Sequence, residues 1–146
     1  MLISIFVPGV PIPKGSSRAF INKRTGRAII TAANSKTKPW EQAVAATVRS
    51  AIRHDDPYPF RGPVALSLTF FLPRPKKHFN KQGIRPDAPV HHAVKPDLDK
   101  LIRSVSDALT VAGVWQDDSQ AAKVSAGKQY QAAGDMAGCW IEAMTI

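Results

Sequence analysis

The sequence predicts a single α+β domain over residues 1–146: a largely antiparallel or mixed β-sheet with two main helices packed on it. Three features lead there. "GPVALSLTFFLP" alternates apolar residues with period two between bounding prolines. Two other segments repeat apolar residues at i, i+3, i+4 and i+7. No apolar run approaches the roughly 18 residues of a membrane span, and 146 residues are enough for one core without a disulfide framework.

Taken in order, Leu2 to Val10 reads as a first strand that stops at Pro11 and Pro13. Its start has no basic region ahead of the apolar residues and meets Pro and Gly early, so it is a strand and turn rather than a signal peptide. The cytoplasm is then the expected location. The following "KGSSRAFINKRTGRAIITAANSKTK" has short apolar runs around Gly26 that suit a hairpin. Pro39 fits a first helical turn, and Trp40, Val44, Val48, Ala51 and Ile52 continue that helix to about Arg53. Strand Val64–Leu72 puts Val64, Leu66, Leu68, Phe70 and Leu72 on one face.

From Arg74 to Lys95 the chain is polar, basic and proline-bearing, a loop of the length that usually carries function. A second helix is expected from about Asp97 to Ala112, on the spacing of Leu98, Leu101, Ile102, Val105, Ala108, Leu109 and Ala112, with Gly113 as its C-terminal cap. Two last strands, about 121–131 and 139–146, are expected to form a hairpin through "AAGDMAG". Cys139, the one cysteine, falls in an apolar strand and reads as an inert core thiol.

Charge narrows the function. The chain carries 20 Lys and Arg against 11 Asp and Glu, a net +9, so a polyanion is the natural partner. The acids are segregated: residues 1–86 hold three of them, residues 87–146 eight. Within "KPDLDKLIRSVSDALTVAGVWQDDSQ" stand Asp97 and Asp99 at the helix start and the adjacent pair Asp117 and Asp118. Ordinary roles exist for each. Asp97 and Asp99 suit a helix N-terminus, Asp99, Arg103 and Asp107 are spaced for surface ion pairs, and Asp117 and Asp118 suit a turn. Taken together they suggest more. Carboxylate oxygens gathered in a basic protein can hold a hard cation such as Mg²⁺ against a phosphate, provided the loop after the helix returns Asp117 and Asp118 to the same end of the sheet.

"KPDLDKLIRSVSDAL" followed by "GVWQDDSQ" resembles the signature of the RusA-type Holliday-junction resolvases, and "VPGVPIPKGSSR" and "KPWEQAV" resemble the start of phage-type members. That resemblance implies a homodimeric endonuclease dependent on Mg²⁺, with Mn²⁺ as a substitute. It would bind four-way DNA junctions and nick two strands symmetrically in recombination and repair, in a bacterium or phage-infected cell. The metal-binding acids then fall on Asp97, Asp99 and Asp118. The family's catalytic lysine falls on Arg103, and its usual Asn after the second aspartate is Lys100, so the resemblance leaves the basic role to Arg103, to Lys100, or divided between them. A twofold dimer matches a symmetric junction with two equivalent cleavage points. Lys14, Arg18, Arg74, Lys76 and Lys77 are candidate phosphate contacts, and Phe79 a candidate wedge between bases. His91 and His92 read as loop residues. The alternatives are a metal-dependent nuclease for flaps or forks, and a non-catalytic junction-binding protein.

Overall fold

The computed structural model describes residues 2–15, 17–32 and 34–146; within 17–20 and 29–32 it describes the backbone alone. Strand β1 (Leu2–Pro8) is followed by a hairpin, β2 (Ser17–Ile21) and β3 (Ala28–Ala32), and by helix α1 (Thr37–Ala51). Strand β4 (Val64–Leu72) leads into a 3-10 turn at Lys76–His78 and a two-residue hairpin, β5 (Phe79–Asn80) and β6 (Gly83–Ile84). Helix α2 (Leu98–Ala112), a second 3-10 turn at Asp118–Gln120, β7 (Ala121–Tyr130) and β8 (Gly138–Thr145) complete the chain.

The main sheet has the order β1-β8-β4-β7. β8 runs antiparallel to both its neighbours, whereas β4 and β7 are parallel. The sheet is therefore mixed and open, and the expected α+β domain is the one observed. Burial along β4 alternates without a break: Val64, Leu66, Leu68, Phe70 and Leu72 face the helices and are buried. α1 packs on α2 and on β1, and α2 also meets β7. Trp40, Val44 and Val48 from α1 and Leu101, Val105 and Leu109 from α2 close the core over Val7, Phe70 and Ile141. The opposite face of the sheet carries Phe6, Phe71 and the half-exposed Trp140 in contact with one another.

The helices begin and end as their local sequences dictate. Pro39 lies in the first turn of α1, where a missing amide costs no hydrogen bond. α2 ends at Gly113, whose φ of 80° is left-handed and easy only for glycine; its amide closes on the carbonyls of Leu109 and Thr110.

The expected hairpin of the last two strands does not form, because β4 lies between β7 and β8. Parallel pairing of β7 with β4 needs a long crossover, which α2 supplies, and it leaves β8 to fill the other side of β4. The connection 131–137 passes over the end of β4, where the Gln131 amide donates to the Leu72 carbonyl at 2.9 Å. Gly138 then admits the chain beside β1: a Cβ there would stand 2.4 Å from both the Phe6 ring and the Val7 carbonyl. Cys139 is fully buried and its thiol is held protonated by burial.

Leu109 is fully buried between α2 and the sheet. Leu109→Ala should lower the unfolding free energy by about 3 kcal/mol, read from urea denaturation.

Candidate active site

Asp97 is the N-cap residue of α2, with an extended backbone (φ −70°, ψ 136°) and a carbonyl that accepts the Leu101 amide at 3.1 Å. Its carboxylate, however, caps nothing. It stands 3.5 Å from Lys100 Nζ, both side chains about half exposed. Asp99 lies in the first turn, exposed and with no hydrogen bond or ion pair among the described residues. Arg103, one turn further on the same stripe, is exposed and likewise unpaired among the described residues. Two carboxylates at the positive end of a helix dipole are thus left free of the helix cap, Asp97 paired only with the half-exposed Lys100 and Asp99 with nothing among the described residues, with Arg103 on the next turn.

Asp107, the third member of that stripe, turns elsewhere. Lys14 Nζ lies 2.9 Å from Asp107 Oδ2 and 2.9 Å from Glu41 Oε1, tying the segment after β1 to both helices. Hydrogen bonds to Glu41 and then Asp107 raise the Lys14 pKa, against the opposing effect of burial. The same segment is pinned by Ser104 Oγ donating to the Ile12 carbonyl and Thr37 Oγ1 to the Pro13 carbonyl, each at 2.8 Å. It forms one wall of an open cleft of about 570 Å³, lined also by Pro73, His92, Lys95, Asp97 and Lys100. Pro13 and Asn34 both line this cleft, so the β2–β3 hairpin with Lys23, Arg24 and Arg27 springs from its rim.

The sequence suggested Lys14 and Arg74 as phosphate contacts, but both are committed within the chain. Arg74 Nε donates to the Gln131 carbonyl at 2.9 Å, one Nη to the Pro89 carbonyl at 2.6 Å, and the guanidinium lies over the Tyr130 ring. His78 and His92 pack on the same ring, and burial, then the nearby cations, holds both imidazoles below their ordinary pKa. Together with the Lys128 ammonium, which donates to the carbonyls of Val94 and Pro96, this cluster anchors the long basic loop to β7. Nothing in the bare sequence singled out Tyr130 or Lys128 for that work. Lys76 and Lys77 remain exposed on the 3-10 turn beyond β4, and Phe79 is 46% exposed. The Arg18 side chain lies outside the described residues.

The second pair of acids divides its labour. Asp117 Oδ1 accepts the Ser119 amide at 2.8 Å, and Gln120 reciprocates to the Asp117 amide, a capping box that holds the turn. The hydrogen bonds that the carboxylate accepts from Ser119 depress the Asp117 pKa. Gln120 Nε2 also donates to the carbonyls of Phe60 and Gly62, fixing the turn to the start of β4. Asp118 is exposed and its carboxylate has no partner among the described residues.

The turn does not return these acids to the Asp97 end. Asp97 sits where β4 ends, beside Leu72 and Pro73; Asp118 sits where β4 begins, since Ala121 pairs with Val64. With Lys128 of β7 aligned to Phe70, the interval is about 20 Å at a strand rise of 3.3 Å per residue. Among the described residues no three His, Cys, Asp or Glu side chains converge to hold a metal ion. Mg²⁺ is commonly held by one or two carboxylates with water and phosphate oxygens completing the shell, so the chemistry of Asp97 and Asp99 fits such an ion without a third protein ligand.

Fold and site together describe a small basic α+β domain with two aspartates at the start of a helix beside Lys100 and Arg103. The family model for endodeoxyribonuclease RusA matches residues 8–136, and the chain belongs to the RusA endodeoxyribonuclease family. Membership supports nuclease activity and, in general terms, a need for a divalent metal. No curated protein matches the chain. Among the described residues, no helix is long and apolar enough to cross a membrane.

The two adjacent acids should separate experimentally. Asp117→Ala should lower Tm by about 3 °C at pH 7 through loss of the cap, whereas Asp118→Asn should leave it unchanged. Because folding depresses the Asp117 pKa, its stabilisation is present above the ordinary 3.8 and is lost as pH falls through the folded value. The Tm gap of Asp117→Ala should therefore close in acid, as followed by thermal melts from pH 7 to pH 2.

Proposed function

We propose that this protein is a Mg²⁺-dependent, homodimeric endonuclease that resolves four-way DNA junctions by paired symmetric nicks. The observation that carries the reading is the pair Asp97 and Asp99 at the start of α2, neither carboxylate used as a helix cap, within a chain of net charge +9 that belongs to a DNA endonuclease family. Asp97 and Asp99 would hold the metal, with Mn²⁺ able to replace Mg²⁺. When bound, it would activate water and offset charge on the scissile phosphate.

Each of the chain's own residues then has a task. Lys100, beside Asp97, balances the carboxylate before DNA arrives and positions it. Arg103, unpaired and always protonated, stabilises the negative charge of the phosphate in the transition state; it does not give up a proton. Asp118 lies about 20 Å away in the same chain, which is too far to share a metal with Asp97. In a twofold dimer Asp118 of the partner subunit completes the donor set, and each of two equivalent sites draws on both chains. Lys76, Lys77 and the basic β2–β3 hairpin, which includes Arg18, hold the junction arms by their phosphates.

The first test is cleavage of a labelled four-way junction beside duplex, flap and fork controls. Paired nicks should require Mg²⁺, stop with EDTA, and fall by at least about 100-fold in Asp99→Asn and in Asp118→Asn. Cleavage of flaps or forks alone would reassign the substrate; binding without nicking in any metal would make the acids structural. Co-folding Asp99→Asn with Asp118→Asn should restore about a quarter of the nicking, because half the dimers are mixed and each mixed dimer holds one intact site. A site built within one chain would give no recovery. Lys76→Ala/Lys77→Ala should reduce the slope of log binding constant against log salt by about 4 for the dimer, two contacts being lost from each subunit; an unchanged slope would remove these lysines from the interface.

A further inference from the structure

The strap that carries the chain from β7 to α2 is held by main-chain bonds at its two ends. The His92 amide donates to the Lys128 carbonyl at 3.2 Å and the Tyr130 amide to the Val90 carbonyl at 2.8 Å, which fixes residues 90–92 on β7. At the other end the Asp97 carbonyl accepts the Leu101 amide and α2 begins. Between them, residues 93–96 make no main-chain hydrogen bond among the described residues, and Pro96 has no amide to give. Two hydrogen bonds from outside the strap reach this gap, and both come from the Lys128 ammonium. One goes to the Val94 carbonyl and the other, at 2.7 Å, to the Pro96 carbonyl.

Lysine is an unexpected residue at that place in β7. Ala126, Lys128 and Tyr130 align with Leu68, Phe70 and Leu72, the row of β4 that faces the helices. A lysine in such a row must bring its ammonium to acceptors, and the two it reaches lie immediately ahead of Asp97. The Pro96 carbonyl and the Asp97 amide belong to one rigid peptide plane. Holding that carbonyl therefore sets the direction in which the chain enters Asp97, and with it the point from which the carboxylate leaves the backbone. A cap does not steer this carboxylate, since it makes none; its one partner is the half-exposed Lys100.

We infer that Lys128 is a positioning residue for the Asp97 carboxylate and sets the affinity of the start of α2 for a divalent metal. The inference deepens the proposed function and rests on it for the presence of the metal. Lys128 touches neither metal nor DNA in this role; it acts through the backbone. Because β7 is paired with β4 from residue 121 to residue 130, the ammonium refers the position of Asp97 to the sheet rather than to the loop. A single charged nitrogen with three donors can hold two carbonyls at once, and its hydrogen bonds are stronger than those of a neutral donor. Outer groups that orient a metal ligand commonly account for about 10- to 100-fold in affinity.

The test uses the full chain and Mn²⁺ alone, with the dissociation constant read from the electron paramagnetic resonance signal of the free ion. Lys128→Met keeps the aliphatic stem but removes the donors, and should weaken Mn²⁺ binding by about 10-fold or more. Arg74→Met releases the same loop at Pro89 and Gln131, away from Asp97, and should move the constant by less than about 2-fold. Lys128→Arg, which keeps a cationic donor, should bind Mn²⁺ more tightly than Lys128→Met. In junction nicking, Lys128→Met should raise the half-saturating Mg²⁺ concentration by a similar factor, while the rate at saturating Mg²⁺ falls by less than about 3-fold. Asp99→Asn marks the site, and should abolish the Mn²⁺ binding that Lys128→Met weakens. An unchanged constant in Lys128→Met, or an equal loss in Lys128→Met and Arg74→Met, would overturn the inference and leave the metal reading standing. Mn²⁺ binding absent from the wild type, or unaltered by Asp99→Asn, would overturn both. If Lys128→Met does not fold, as judged by circular dichroism, Lys128→Gln is measured in its place, and a constant within about 2-fold of the wild type would again overturn the inference.

Discussion

Parallel pairing of β4 with β7 is the constraint on which the rest of the molecule depends. A parallel neighbour cannot be reached by a tight turn, so the chain must travel back along the whole sheet before β7 can begin. α2 is that return path, and its 15 residues span about 22 Å at 1.5 Å per residue, nearly the length of β4. Whatever precedes α2 is consequently held at one end of the sheet and whatever follows it at the other. Asp97 and Asp99 precede or begin the helix and Asp118 follows it, so their separation is a property of the topology and not of a side-chain rotamer.

The same constraint explains how the chain spends its charge. Lys14 and Arg74 sit in the two segments that border the cleft, and both are drawn inward, one onto Glu41 and Asp107, the other onto carbonyls and the Tyr130 ring. A cleft wall made of "VPGVPIPKG" has few amides to offer a neighbouring element, since its prolines donate none. Side chains must do that work, and a lysine between two carboxylates can fasten three segments at once. Lys76, Lys77 and Arg103, which make no such contacts among the described residues, lie on a turn and a helix face already held by other contacts.

Much of this was legible in the sequence wherever the signal is local. The period-two pattern of Val64–Leu72, the heptad-like spacing in α2 and the cap at Gly113 reappear within a residue or so, because a strand face, a helix face and a left-handed turn are each decided by neighbours. The hairpin expected of the last two strands failed because turn residues in "AAGDMAG" specify a turn, not which strands flank it. Nor could sequence separate Asp117 from Asp118: the capping box needs Gln120 to reach back while also bonding Phe60 and Gly62, and that depends on where β4 begins. The partners of Lys14 come from distant segments and leave no trace in its neighbourhood.

Asp97 shows how a local rule can hold in the backbone and be released in the side chain. Its backbone angles are those of an N-cap and its carbonyl starts the helix, yet the carboxylate, which normally accepts an amide of the first turn, is turned toward Lys100 and the cleft. A capping carboxylate has part of its oxygen capacity filled by the helix; an idle one keeps it. Leaving the cap unmade costs helix stability, and α2 can bear that because its buried face, with Leu101, Val105 and Leu109 fully enclosed, holds it to the sheet. Tertiary packing thereby frees two acids at a dipole's positive end, where their charge is best tolerated before any cation arrives.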